Sequence, residues 1–102
     1  MKVVEVTKDT FEKEVLKEKR VLIDFNAEWC GPCRMLGPIL EDVAKDEEKT
    51  KIVSINIDDE EDIARDYNVF SIPCLVLLEE GKEVDRHVGL MSKDDLKKFI
   101  GE

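Results

Sequence analysis

Apolar positions along the chain recur with two periods, and their alternation outlines the fold. Val21-Leu22-Ile23-Asp24-Phe25-Asn26 is apolar on both faces except at Asp24, as expected of a central buried strand. Ile52 to Ile57 and Cys74 to Leu78 read as further core strands, and Val3 to Val6 as a short one. Glu79-Glu80-Gly81-Lys82 is a turn signal, so Glu83 to Val88 is predicted to return as an antiparallel strand. Between the strands the spacing becomes helical. Phe11, Val15 and Leu16 form one inner face, with Thr7 as the predicted cap. A longer helix, Arg34 to about Lys45, carries Cys33, Leu36, Gly37, Leu40, Val43 and Ala44 on its apolar side. Pro38 inside it predicts a kink. Asp62 to Tyr67 presents Ile63, Ala64 and Tyr67 and stops at Asn68. A last helix, led by Ser92 and Asp95 as a capping box, presents Leu96, Phe99 and Ile100. Val69 to Pro73 has neither period and reads as a loop. The order β-α-β-α-β-α-β-β-α implies a mixed sheet with helices on both faces, in one domain spanning 1-102.

At the junction between the central strand and the long helix stands Trp29-Cys30-Gly31-Pro32-Cys33. Two thiols at this spacing can close a small disulfide ring and reopen it. Cys30 falls at or just before the first helical turn, where unpaired N–H groups and the positive end of the helix dipole favour thiolate over thiol. Cys33 heads the apolar stripe. The pattern therefore predicts an exposed attacker, Cys30, and a shielded resolver, Cys33. Gly31 permits a tight turn, and Pro32 suits an early helical position, where its missing N–H costs little. Asp24 shares its strand face with Leu22 and Asn26, beneath that helix. A carboxyl buried there should hold its proton unusually firmly, which suits it to take the proton from Cys33 and return it. The same Cys spacing also occurs in half a zinc site. Only Cys74 and His87 could complete such a site, and they lie in separate strands without paired ligand spacing.

Composition narrows the partners. The chain has 102 residues and a formal net charge of -9, which opposes binding to phosphate backbones and anionic lipids. No apolar run approaches the roughly 18 residues of a membrane span, and the N-terminus lacks a signal peptide's apolar core; a cytoplasmic location is expected. Three cysteines do not make a disulfide scaffold. The acidic run Asp58-Asp59-Glu60-Glu61-Asp62 lacks the spaced ligands and central Gly of a calcium loop and reads as solvated. No Gly-rich dinucleotide fingerprint occurs.

With these residues in place, the chain resembles the thioredoxin family. Ala27-Glu28 before the five-residue motif and Arg34-Met35 after it match, as do Asp24, Pro38, Ile72-Pro73, Gly81 and Gly89 at the right separations. The resemblance implies a five-stranded mixed sheet flanked by four helices, an α/β/α sandwich. It implies a cis Ile72-Pro73 bond, with Pro73 against the disulfide and the Ile72 backbone pairing with an extended substrate. A docking patch would comprise Trp29, Gly31, Pro32, Phe70, Ile72, Gly89 and Leu90. The implied activity is reduction of protein disulfides by a monomer with no bound cofactor and no metal, serving electron transport and cell redox homeostasis. A separate thioredoxin reductase, flavin- or ferredoxin-linked, would recharge it. Clients would include ribonucleotide reductase, peroxiredoxin or methionine sulfoxide reductase. Three positions depart from the family: Asn26 replaces a usual Trp, Ser54 a Lys near the buried Asp, and Cys74 a common Thr. The loss of the Lys charge should raise the Asp24 pKa further. Cys74 reads as a buried free thiol, with a regulatory or cluster-binding thiol as the alternative. A binding module that uses the same patch without turnover, and a metal or iron–sulfur carrier, are the rival functions.

Overall fold

The structure, a computed structural model, describes residues 1–101. Among them five strands form one sheet in the order β1-β3-β2-β4-β5. The strands are β1 (Val4–Glu5), β2 (Arg20–Asn26), β3 (Lys51–Asn56), β4 (Cys74–Glu79) and β5 (Lys82–Val88). β2 pairs parallel to β3 on one side and antiparallel to β4 on the other, which puts the most apolar segment in the middle. Three α-helices accompany them: α1 (Gly31–Asp46), α2 (Glu61–Asp66) and α3 (Lys93–Phe99).

Strand alternation divides the core into two layers. Val21, Ile23, Phe25, Val53, Ile55, Cys74, Val76 and Leu78 point to one face, with Val15 and Ile63. Leu22, Ile52, Leu75 and Leu77 point to the other, against Leu36, Leu40 and Val43 of α1 and Leu96 of α3. Asp24 and Ser54, opposite each other in the β2–β3 register, lie on this second face toward its active end.

The first helix departs from expectation. Glu12–Leu16 is a short π-helix, with the Lys17 N–H donating to Glu12 O at 3.1 Å, so the four helices of the described residues are this one and three α-helices. The wider turn rotates Leu16 into solvent while Val15 stays buried. Thr7 does not cap the turn; its N–H donates to Thr10 Oγ1 at 3.1 Å. Gly37 is only half-buried, and α1 continues past Pro38 to Asp46. Asn68 stops α2 in the left-handed region, φ 53°. Ser92 Oγ accepts the Asp95 N–H at 3.1 Å, as the cap signal predicts.

The β4–β5 hairpin turns on two residues, Glu80 (φ 51°) and Gly81 (φ 78°), a type I′ loop. Gly81 adopts this conformation freely, whereas Glu80 does not. Glu80→Asn is therefore expected to raise stability by about 0.5–1 kcal/mol, measured as a higher urea midpoint at unchanged slope. A lower midpoint would contradict this reading of the turn.

Candidate active site

β2 runs straight into the loop that holds the cysteine pair, and α1 starts within that pair. Cys30 is the N-cap of α1 and is joined to Cys33 by a disulfide, with the two Cα atoms 5.2 Å apart. Cys30 Sγ accepts the Cys33 N–H at 3.2 Å. Gly31 and Pro32 are the first two helical residues, so the missing Pro32 N–H leaves no helical bond unmade. The Cys30 sulfur thus faces the N-terminal end of a 16-residue helix with a donor already aimed at it, which favours a negative charge there once the ring opens.

The expected contrast in exposure is not found in the closed ring: Cys30 is 5% exposed and Cys33 6%. Ala27, Ile57 and Ile72 pack around both sulfurs. What distinguishes the two is their surroundings. Cys30 Sγ lies 3.9 Å from the Ile72 carbonyl oxygen, beside the loop that reaches the surface. Cys33 lines a cleft with Asp24, Asn26 and Ser54.

The Ile72–Pro73 peptide is cis and Pro73 is buried. Gly89 tethers this loop, its N–H donating to Pro73 O at 2.8 Å; its φ of 105° lies where a side chain would be strained. Of the predicted docking residues, Phe70 is 90% exposed and Trp29 67%, Leu90 and Pro32 are exposed, and Ile72, packed against the pair, is half-buried. Large apolar side chains this exposed suit a docking surface.

Asp24 is buried, and burial pushes its pKa up to about 6; the Asn26 hydrogen bond opposes the rise and the Glu5 charge adds to it. Asp24 Oδ1 is buried without a hydrogen-bond partner among the described residues. Oδ2 accepts from Asn26 Nδ2 at 3.1 Å.

Three features of the site went unread in the sequence. Asn26 is a hydrogen-bond donor to Asp24, where the sequence marked only the replacement of a usual Trp. Asp58, within the run read as solvated, accepts from Trp29 Nε1 at 2.7 Å and so orients that ring. Arg86 donates to the Tyr67 and Asn68 carbonyls at the foot of the Phe70–Pro73 loop, and to the Glu83 carboxylate. Its spacing from Tyr67 is set by strand pairing and leaves no local motif. Cys74 is a buried free thiol on the α2 side of the sheet; burial pushes its pKa up, against the pull of Arg86, whose Nη1 is 3.7 Å from Sγ. Among the described residues no three His, Cys, Asp or Glu side chains converge as metal ligands. A large open cavity lies at the opposite end of β2, around Arg20, Lys49 and Thr50, and contains none of the predicted site residues. No helix among them is long and apolar enough to cross a membrane.

The thioredoxin family model matches residues 2–102. A thioredoxin from Rickettsia bellii is 47% identical over 97 residues, covering 93% of this chain and 92% of that one. One from Chlamydia caviae is 52% identical over 82 residues, 80% of each chain. Among solved structures, a thioredoxin variant from Halobacterium salinarum superposes with a TM-score of 0.89 at 34% identity, covering 97% of this chain and 88% of the other. A second, from work on the thiol-resolving mechanism of yeast mitochondrial 1-Cys peroxiredoxin via glutathione/thioredoxin systems, superposes with a TM-score of 0.85 at 26% identity, covering 96% and 92%.

Proposed function

The chain belongs to the thioredoxin family and is a thiol–disulfide oxidoreductase, and on that premise we propose the part each residue plays in reducing protein disulfides. In the reduced protein the Cys30 thiolate attacks one sulfur of a client disulfide. A Cys30–client disulfide forms, and the other client sulfur leaves as a thiolate and takes a proton from solvent. Cys33 then gives its proton to Asp24 and attacks Cys30 Sγ. The ring closes, the second client sulfur leaves as a thiolate, and Asp24 gives up the proton to that thiolate. The client gains two electrons and the Cys30–Cys33 pair loses them. Pro73 packs beside the ring, and the Ile72 backbone pairs with an extended client segment. Trp29, Gly31, Pro32, Phe70, Gly89 and Leu90 complete the docking surface.

The observation that carries this reading is the Cys30–Cys33 ring at the N-terminus of α1, with a backbone donor on Cys30 and a proton-retaining carboxyl in the cleft that Cys33 lines. Exchange of this kind needs no bound cofactor. The electrons come from a separate thioredoxin reductase, and the clients are disulfide-containing proteins of the cytoplasm. A peroxiredoxin suits the client role, given the subject of the yeast structure this chain resembles; ribonucleotide reductase and methionine sulfoxide reductase present the same chemistry. The protein acts as a monomer.

Catalysed reduction of insulin by dithiothreitol is the test. Turnover well above the dithiothreitol background is expected from the parent protein, and its absence would favour a binding module.

A further inference from the structure

The two family departures closest to Asp24 are bonded to each other. Asp24 and Asn26 are two residues apart on β2 and share a face, and Ser54 of β3 stands directly opposite Asp24. The Asn26 amide spans all three. Nδ2 donates to Ser54 Oγ at 2.7 Å, to Asp24 Oδ2 at 3.1 Å and to the Asp24 carbonyl at 3.0 Å. Three acceptors thus share the two N–H groups of one amide. The buried carboxyl therefore has one oxygen occupied and one, Oδ1, free of partners among the described residues.

We infer that Asn26 is a positioning residue for the resolving step: anchored on Ser54, its amide occupies Oδ2, and so leaves Oδ1 as the oxygen that exchanges a proton with Cys33. The inference rests on Asp24 acting as the proton acceptor in the mechanism proposed above. A carboxyl with both oxygens bare would turn freely between two equivalent protonation sites. Here the amide also favours the ionised form through Oδ2, which opposes the effect of burial. Asn26 would thereby set the pH at which Asp24 can accept a proton. The other charged or titratable groups around Asp24 are few. They are Glu5 on β1, Glu28 in the loop before α1, Cys33 and Arg34 at the start of α1, and Cys74 on β4. Of these, Glu5 pushes the Asp24 pKa in the same direction as burial, so the Asn26 amide is the principal opposing influence.

Asn26→Leu keeps side-chain volume and removes the donor. Two readouts are needed: the carboxyl 13C titration of Asp24 in the oxidised protein, and the pH profile of single-turnover release of client from the mixed disulfide. Both midpoints are expected to move upward together, by about one pH unit. Ser54→Ala, which removes the anchor but leaves the amide, is expected to move both in the same direction by less. It serves as the test if Asn26→Leu fails to fold. Cys30 alkylation rates should stay unchanged in either variant, which separates the effect from a general disturbance of the pair. A folded variant in which neither midpoint moves would overturn the inference while leaving the role of Asp24 intact. If the carboxyl titration moves but the release profile does not, Asp24→Asn is compared with the parent. An unchanged release rate there removes Asp24 from the mechanism and the inference with it. A slowed rate keeps Asp24 and overturns the inference alone.

Discussion

Cys30→Ser is expected to lower catalysed disulfide reduction to the dithiothreitol background, a loss on the order of 10³-fold or more. The sequence of bond changes explains the size. A serine hydroxyl at Cys30 would not ionise near neutral pH, even with the Cys33 N–H and the end of α1 facing it. It also cannot form the sulfur–sulfur bond that carries the electrons. Cys33 is not expected to take over as attacker: it is buried and lines the cleft with Asp24, whereas it is Cys30 Sγ that lies beside the Ile72 carbonyl. Insulin turnover measures the loss. Residual turnover above a tenth of the parent value would mean that Cys33 is itself reachable by client.

Asp24→Asn is expected to stabilise the fold and slow it as a catalyst. Below about pH 3 the Asp24 carboxyl is neutral whether the chain is folded or not, and ionisation costs nothing. As pH rises from the unfolded value of 3.8 to the folded value of about 6, the unfolded chain ionises first and stability falls. Above that window the penalty is complete: about 2 pK units, on the order of 3 kcal/mol. The Asn variant avoids it while keeping an oxygen for the Asn26 donor. At pH 8 it should therefore unfold roughly 10–20 °C higher than the parent. At pH 3 the two should nearly coincide. Resolution of the mixed disulfide should slow by about 10²-fold, since proton transfer from Cys33 loses its acceptor. Thermal scans at both pH values check the first part, and a stability difference independent of pH would contradict the cause assigned to it.

Sequence reading recovered the elements whose period is long and uninterrupted. β2, β3, β4 and α1 fall within a residue or two of expectation, apart from the earlier start of α1, because each buries a continuous apolar face. The parallel β2–β3 pairing follows from its helical connection and the antiparallel β4–β5 pairing from its two-residue turn, whereas the β1–β3 and β2–β4 pairings join strands that no short connection links. The Glu12–Leu16 turn was misread because one extra residue per turn rotates Leu16 outward, a change the spacing of Phe11, Val15 and Leu16 does not signal. At the site, the cysteine pair and Asp24 were legible because each breaks its local pattern. Asn26, Asp58 and Arg86 were not. Their partners are Asp24 and Ser54, Trp29, and the Tyr67–Asn68 backbone, brought to them by the register of neighbouring strands and the folding of loops. Cys30 and Cys33 are equally buried in the closed ring, packed with Ala27, Ile57 and Ile72. Their inequality lies in the groups that face each sulfur, which exposure does not register.

The unequal roles of the two sulfurs form the central claim, and trapping tests it most directly. Cys33→Ser protein, reduced and mixed with a disulfide-bonded client, should accumulate a covalent complex that dithiothreitol dissolves. Peptide mapping should place the client on Cys30, and Cys30→Ser protein should form no such complex. A complex mapped to Cys33 in the Cys30→Ser protein, or none in the Cys33→Ser protein, would contradict the account.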